Sequence, residues 1–149
     1  MAEDYESKRE EEASSIRPDL QFSVLCDDVR QEINGKLILI GLFEAIRAKV
    51  FPVWHPMLYI VNRWRNGEGV FTEITRVVSA GNEKVAEGQE TRFQLPGTHT
   101  SHTVIHRFPN IRFESPGTYW VEINLGNELC HRYPIRLVGG SEQQSGEGG

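Results

Sequence analysis

Along most of this chain apolar side chains alternate with polar ones, the period of two that marks strands with one buried face. One stretch departs from it. Lys36-Leu37-Ile38-Leu39-Ile40-Gly41-Leu42-Phe43 runs on with almost no polar break. A strand covered on both faces has no need to alternate, so Lys36–Phe43 is expected to be the central strand of a β domain. The run is entered through Ile33-Asn34-Gly35-Lys36. Asn-Gly between two strand-like runs predicts a type I′ hairpin turn, in which both residues take positive φ.

Turn signals recur about every ten residues on either side of this run, the punctuation of an all-β chain. Leu20–Cys26, continued by Asp27–Ile33, reads as the first strand, and Ala45–Val50 follows the apolar run. Met57–Arg65 and Val70–Ser79 are expected to pair as a hairpin across Asn66-Gly67-Glu68-Gly69, and Lys84–Phe93 follows the Gly81-Asn82 turn. Leu95–Ser101 reads as a surface crossing before His102–Phe108 and the short run Ile111–Phe113. The cleanest alternation is Tyr119, Val121, Ile123 and Leu125, turned at Gly126-Asn127 into a last strand, Leu129–Val138. Pro134 lacks a ladder donor and suggests that this last strand lies at an edge. Phe51-Pro52 through Pro56 is expected to interrupt pairing for the same reason. Eight or nine strands and no helix predict an all-β fold: a two-sheet antiparallel, immunoglobulin-like sandwich, because a single sheet of that length would leave an apolar face in water.

Residues 1–18 are charge-dense and poor in core formers, which predicts a disordered acidic tail; residues 139–149 are Gly/Ser-rich and predict a flexible one. The folded domain is then residues 19–138. This division changes the meaning of the net charge of -5. Residues 1–18 hold six acidic and three basic side chains, and residues 139–149 two acidic and none basic, so of 21 acids and 16 bases 13 of each remain in the domain. An electroneutral domain lacks the basic excess that nucleic acid or an anionic membrane requires. Met1–Arg17 has no apolar h-region, and no apolar run approaches the roughly 20 residues that span a bilayer. Together these predict a cytoplasmic chain in which Cys26 and Cys130 stay reduced.

The strings Phe22-Ser23-Val24-Leu25-Cys26-Asp27-Asp28-Val29-Arg30, Asn34-Gly35-Lys36-Leu37 and Ile40-Gly41-Leu42-Phe43, followed by Phe51-Pro52, His55-Pro56 and Pro116-Gly117-Thr118-Tyr119, resemble a family of small, uncharacterised bacterial proteins. The resemblance spans roughly Leu20 to Val138. It implies a bacterial cytosolic sandwich and carries no activity with it.

Candidate chemistry is sparse. Asp27 and Asp28, with His131, are the candidate ligands for a metal, since paired carboxylates at a strand end suit a hard cation. Calcium sites gather more oxygens than two aspartates supply, and an aspartate pairing with Arg30 at a strand exit explains the cluster as well. His102 and His106, four apart on a strand, would stand roughly 13 Å from one another, too far to share a zinc ion. No nucleophile elbow, phosphate loop or paired-histidine zinc motif is present, so no catalytic residue and no cofactor is expected. Ten of the 13 basic residues in the domain are arginine. Tyr59, Arg63, Trp64, Arg65 and Arg76 fall on the expected 57–79 hairpin, where Arg65 opposite Val70 would set Tyr59 against Arg76, Trp64 against Phe71 and Asn62 against Glu73. Those residue types, with Trp54 between its prolines, are also the usual anchors of interfaces. The expected role is a non-enzymatic module that binds another protein or itself. A sandwich binding a sugar or polyanion through Trp54, Trp64 and the arginines is the alternative, and a metal-binding protein or enzyme centred on Asp27 and Asp28 a second.

Overall fold

A computed structural model describes residues 15–140 and contains ten strands. They are β1 (Asp19–Gln31), β2 (Leu37–Phe43), β3 (Ala45–Ala48), β4 (Val53–Arg65), β5 (Gly69–Val78), β6 (Lys84–Glu87), β7 (Thr91–Leu95), β8 (Ser101–Phe113), β9 (Gly117–Leu125) and β10 (Glu128–Gly139). The tenth arises because Lys84–Phe93 splits into β6 and β7. One sheet has the order β2-β1-β4-β8; the other is β3-β10-β9-β5-β6, with β7 also paired to β5. All pairings are antiparallel except β3 with β10, which is parallel. The core lies between the two layers. Leu25, Leu58, Ile60, Trp64, Val104 and Phe108 from the first sheet meet Val77, Val121, Ile123, Leu125, Ile135 and Leu137 from the second. Each sits at alternate positions of its strand, and each such burial stabilises the fold by roughly 1.5–3 kcal/mol.

Three expectations fail, and a fourth holds for part of its strand. The apolar run is not central: β2 is the outermost strand of its sheet, with β1 as its only strand partner among the described residues. Its turn is also different. Gly35 N donates to Glu32 O at 2.9 Å and Glu32 N to Lys36 O at 2.8 Å. Gly35 takes φ 92° while Asn34 stays at negative φ, so this is a three-residue loop with one left-handed glycine and not a type I′ turn. β4 and β5 do not form a hairpin; the chain arches from one sheet to the other at residues 66–68, so none of the expected Tyr59–Arg76, Trp64–Phe71 or Arg65–Val70 backbone pairs exists. The edge expected at Pro134 holds in part: β10 is flanked by β3 along Arg136–Gly139, while its stretch from Glu128 to Ile135, which contains Pro134, has β9 as its only strand partner among the described residues.

β4 also runs through Pro56, and β8 through Pro109; both belong to a single long ladder from Val53↔Phe113 to Arg65↔Ser101. Asn110, at φ 50°, marks the place where the inward-facing side changes from Phe108 to Ile111. Of the residues predicted as N-terminal tail, Ile16 pairs with Glu68 through both backbone hydrogen bonds, and Arg17 meets Glu128 at 2.8 Å. Residues 1–14 and 141–149 lie outside the described residues.

Candidate functional site

The β1–β2 hairpin divides into two parts. From Asp19 to Cys26, β1 pairs with β4, and from Leu25 to Gln31 with β2, so that beyond Cys26 β2 is its only strand partner among the described residues. At the division stand Asp27 and Gly41. Gly41 takes φ 72°, and a Cβ there would collide with the Asp27 carboxylate, so this position requires glycine both for its backbone and for space. The distal arm and the face of the first sheet turned away from the core line a common cleft of about 650 Å³. Gln31, Leu37 and Leu39 form one side of it, and Val61, Arg63 and Ile105 the other. Val61 belongs to this outer face, yet it is fully buried.

β2 is apolar and largely in water. Leu42 is 62% exposed, Ile38 and Ile40 44% each and Leu37 38%, while Ile105 across the cleft is 41% exposed. Isolated exposed aliphatics are ordinary in a folded protein. Four in six consecutive residues on one sheet edge are a different matter, because that edge also leaves a row of backbone donors and acceptors unpaired. The Glu32–Lys36 backbone bond fixes which ones: by antiparallel alternation, Leu37, Leu39 and Phe43 turn theirs away from β1.

Several residues singled out in the sequence share the outer face of the first sheet. Tyr59, Arg63 and Arg65 alternate on β4 with the core residues Leu58, Ile60 and Trp64. Trp54 joins them because its partner Arg112 lies between the buried Ile111 and Phe113; the Arg112 guanidinium stands 5.7 Å from the indole, and Trp54 is 60% exposed. Arg63 donates to Ser101 Oγ at 3.0 Å. The other two candidates are elsewhere. Arg76 lies on the second sheet, where Nε meets Glu122 Oε1 at 3.0 Å and Arg132, stacked 4.1 Å over Trp120, takes the other oxygen. Trp64 is fully buried and no contact residue at all.

Trp64 belongs instead to a polar cluster that nothing in the sequence announced. Its Nε1 donates to Glu73 Oε2 at 2.9 Å, linking the two sheets. Glu73 Oε1 accepts from Asn62 Nδ2 at 3.0 Å, from Thr75 Oγ1 at 2.5 Å and from His106 Nε2 at 2.6 Å. Asn62 also donates to Thr75 Oγ1 at 2.9 Å. A carboxylate only accepts, so the His106 proton sits on Nε2. Burial pushes the Glu73 carboxyl up, but the hydrogen bonds from His106, Thr75 and Trp64 outweigh it and hold the group below its ordinary value. All five side chains are buried, which makes this cluster an interlayer lock and gives no substrate access to it. The expected proximity of Asn62 and Glu73 is thus real, but through side chains across the core.

The metal candidates are not brought together. Asp28 accepts from Arg30 Nε at 2.6 Å and from Val29 N at 2.9 Å, and the hydrogen bond from Arg30 lowers its carboxyl. Asp27, its neighbour in the strand, lies over Gly41, and His131 is on the other sheet against Tyr133. Among the described residues no group of three His, Cys, Asp or Glu side chains could hold a metal ion. Cys26 is buried and Cys130 half-buried, both as free thiols; burial, then the charge of Asp27, pushes the Cys26 thiol up. Among the described residues no helix is long and apolar enough to cross a membrane.

Compared with known proteins, residues 21–138 match the model of a family described only as being of unknown function. No curated protein matches the chain.

Proposed function

The chain belongs to that family, DUF6941, and we propose that it is a non-enzymatic interaction module that docks a polypeptide on the free edge of β2. One observation carries this reading: the longest apolar run of the chain lies exposed on a sheet edge with its ladder groups unpaired. Strand addition uses such an edge directly, with main-chain hydrogen bonds supplying affinity and alternate side chains supplying selectivity. Trp54, Tyr59, Arg63 and Ile105 on the adjoining sheet face extend the surface with residue types that anchor interfaces. Two free cysteines suit a reducing compartment such as a bacterial cytosol. The alternative of a sugar- or polyanion-binding groove keeps Arg63 but loses Trp64 to the core.

A photo-crosslinking side chain at Leu42 tests the proposal, with the somewhat more exposed Val50, in the loop after β3, as control. Polypeptide adducts in the cells that make the protein are expected at position 42 and not at 50. Absence of adducts at 42, or equal yields at both positions, would overturn it.

A further inference from the structure

We infer that the cleft between the β1–β2 arm and the outer face of the first sheet binds an aliphatic carboxylate, a fatty-acid-like anion. Its chain lies between the apolar walls and its head meets Lys36 and Arg63. The site is separate from the free edge of β2 and does not rest on the docking of a polypeptide there. Its walls exist because the arm turns back over the sheet. Phe22 and Gln31 stand nine residues apart on β1 yet line the same cleft; in a straight strand they would be roughly 30 Å from one another. The tip of the arm, Gly35 and Lys36, likewise shares the cleft with Arg63. β1 leaves β4 at Tyr59, so a straight continuation would carry that tip toward Val53 instead. The turn-back falls at Asp27 and Gly41, where the backbone is left-handed. It brings Leu37 and Leu39 over Val61, which is fully buried although it lies outside the core between the sheets.

The lining selects the ligand. Its charged residues are Lys36 and Arg63, with no carboxylate among the rest. In a domain with as many acids as bases, that is a local excess of positive charge beside an apolar surface. Among the described residues neither cation is in an ion pair. Arg63 is held at one end only, where Nη2 donates to Ser101 Oγ at 3.0 Å, and its Nε is buried without an acceptor. The guanidinium therefore carries donors in excess of its acceptors, and a carboxylate is the acceptor that its planar fork fits. The body of the ligand follows from what the walls do not offer. A polypeptide laid in the cleft would bring a backbone donor with every residue. Against these donors the lining has the side-chain oxygens of Gln31 and Thr103, and the Gly35 carbonyl already accepts from Gln31 Nε2 at 3.2 Å. An alkyl chain needs no acceptor. A cleft of about 650 Å³ is also of the size that holds small molecules.

Calorimetric titration of the full-length protein with decanoate, kept below micelle formation, tests this. Saturable binding of one anion per chain is expected. Decanol, the same chain without the charge, should bind about tenfold more weakly or worse, and the double variant Lys36→Gln/Arg63→Gln should lose decanoate affinity by a similar factor. A second pair of variants locates the site. Leu37 and Leu39 line the cleft, so by alternation Ile40 is turned away from it. Ile105→Glu sets a carboxylate in the apolar wall and should abolish binding, whereas Ile40→Glu adds the same charge on the far side of the arm and should leave affinity within about threefold. Ile40 and Ile105 are both exposed, and unchanged circular dichroism checks that each variant keeps the fold. The proposal is overturned by the absence of saturable binding, by equal affinity for decanol, or by full affinity in the Lys36→Gln/Arg63→Gln variant. It is equally overturned if Ile105→Glu binds like the wild type, or if Ile40→Glu loses as much as Ile105→Glu, which would mean adsorption to the exposed side chains of β2.

Discussion

Two regions of this protein invert the ordinary arrangement, and they do so in opposite directions. Around Glu73 five side chains, four of them polar or ionisable along their whole working end, lie between the sheets; along β2 a run of aliphatic side chains lies in water. The first region is nearly self-sufficient, with Asn62 Oδ1 as its one buried acceptor lacking a partner among the described residues. Every oxygen of Glu73 is matched by donors from β4, β5 and β8, so the cost of burial is offset inside the chain. The second is incomplete, because among the described residues its aliphatic side chains stay exposed and its edge backbone groups face no further strand. What separates a structural anomaly from a functional one here is whether the chain supplies its own compensation.

The largest expected effect comes from opening the closed region. Glu73→Ala leaves the Trp64 indole, the Asn62 amide and the His106 ring without their acceptor in the core, and should destabilise the fold by about 3–5 kcal/mol, read from urea unfolding midpoints. A cost under about 1 kcal/mol would show that the cluster is replaceable packing. A smaller effect follows from acid. The Glu73 carboxyl is held below its ordinary value, so its stabilisation is complete at neutral pH and is lost as pH falls through the native value, below the usual carboxylate range. Between about pH 6 and pH 3 the wild type should therefore lose more stability than Glu73→Gln, which has no such proton to take up; parallel losses would count against the assignment. The smallest effect belongs to the open region. Ile40→Lys removes a side chain already 44% exposed and should shift monomer stability by no more than about 0.5 kcal/mol, while it abolishes association through β2. Substantial destabilisation at a concentration where the protein is monomeric would mean that β2 is buried within the domain after all.

The same contrast explains what could be read along the chain. Tyr119, Val121, Ile123 and Leu125 announced β9 and its inward face because both the strand and its cover come from this chain. β2 misled because an apolar run reports that a surface is to be covered, not by what. A warning was present in its hairpin partner: Asp27, Asp28, Arg30 and Gln31 line β1 directly beside β2, and a strand buried on both faces would not have so polar a neighbour. The Glu73 cluster left no comparable trace. Asn62, Glu73, Thr75 and His106 are ordinary polar residues at positions that local pattern assigns to solvent or to a hairpin, and they meet only because β4 and β8 lie in one sheet and β5 in the other.

By itself, then, the amino-acid sequence determined the strands, the two-layer architecture and most of the inward-facing residues, since these depend on periods of two and on turn chemistry that act over a few neighbours. Tertiary structure decided which strands are sheet edges, that β4 and β5 part company, and which polar groups are sealed between the layers. Those outcomes depend on pairings between residues far apart along the chain, and no local pattern of apolar and polar positions encodes the partner.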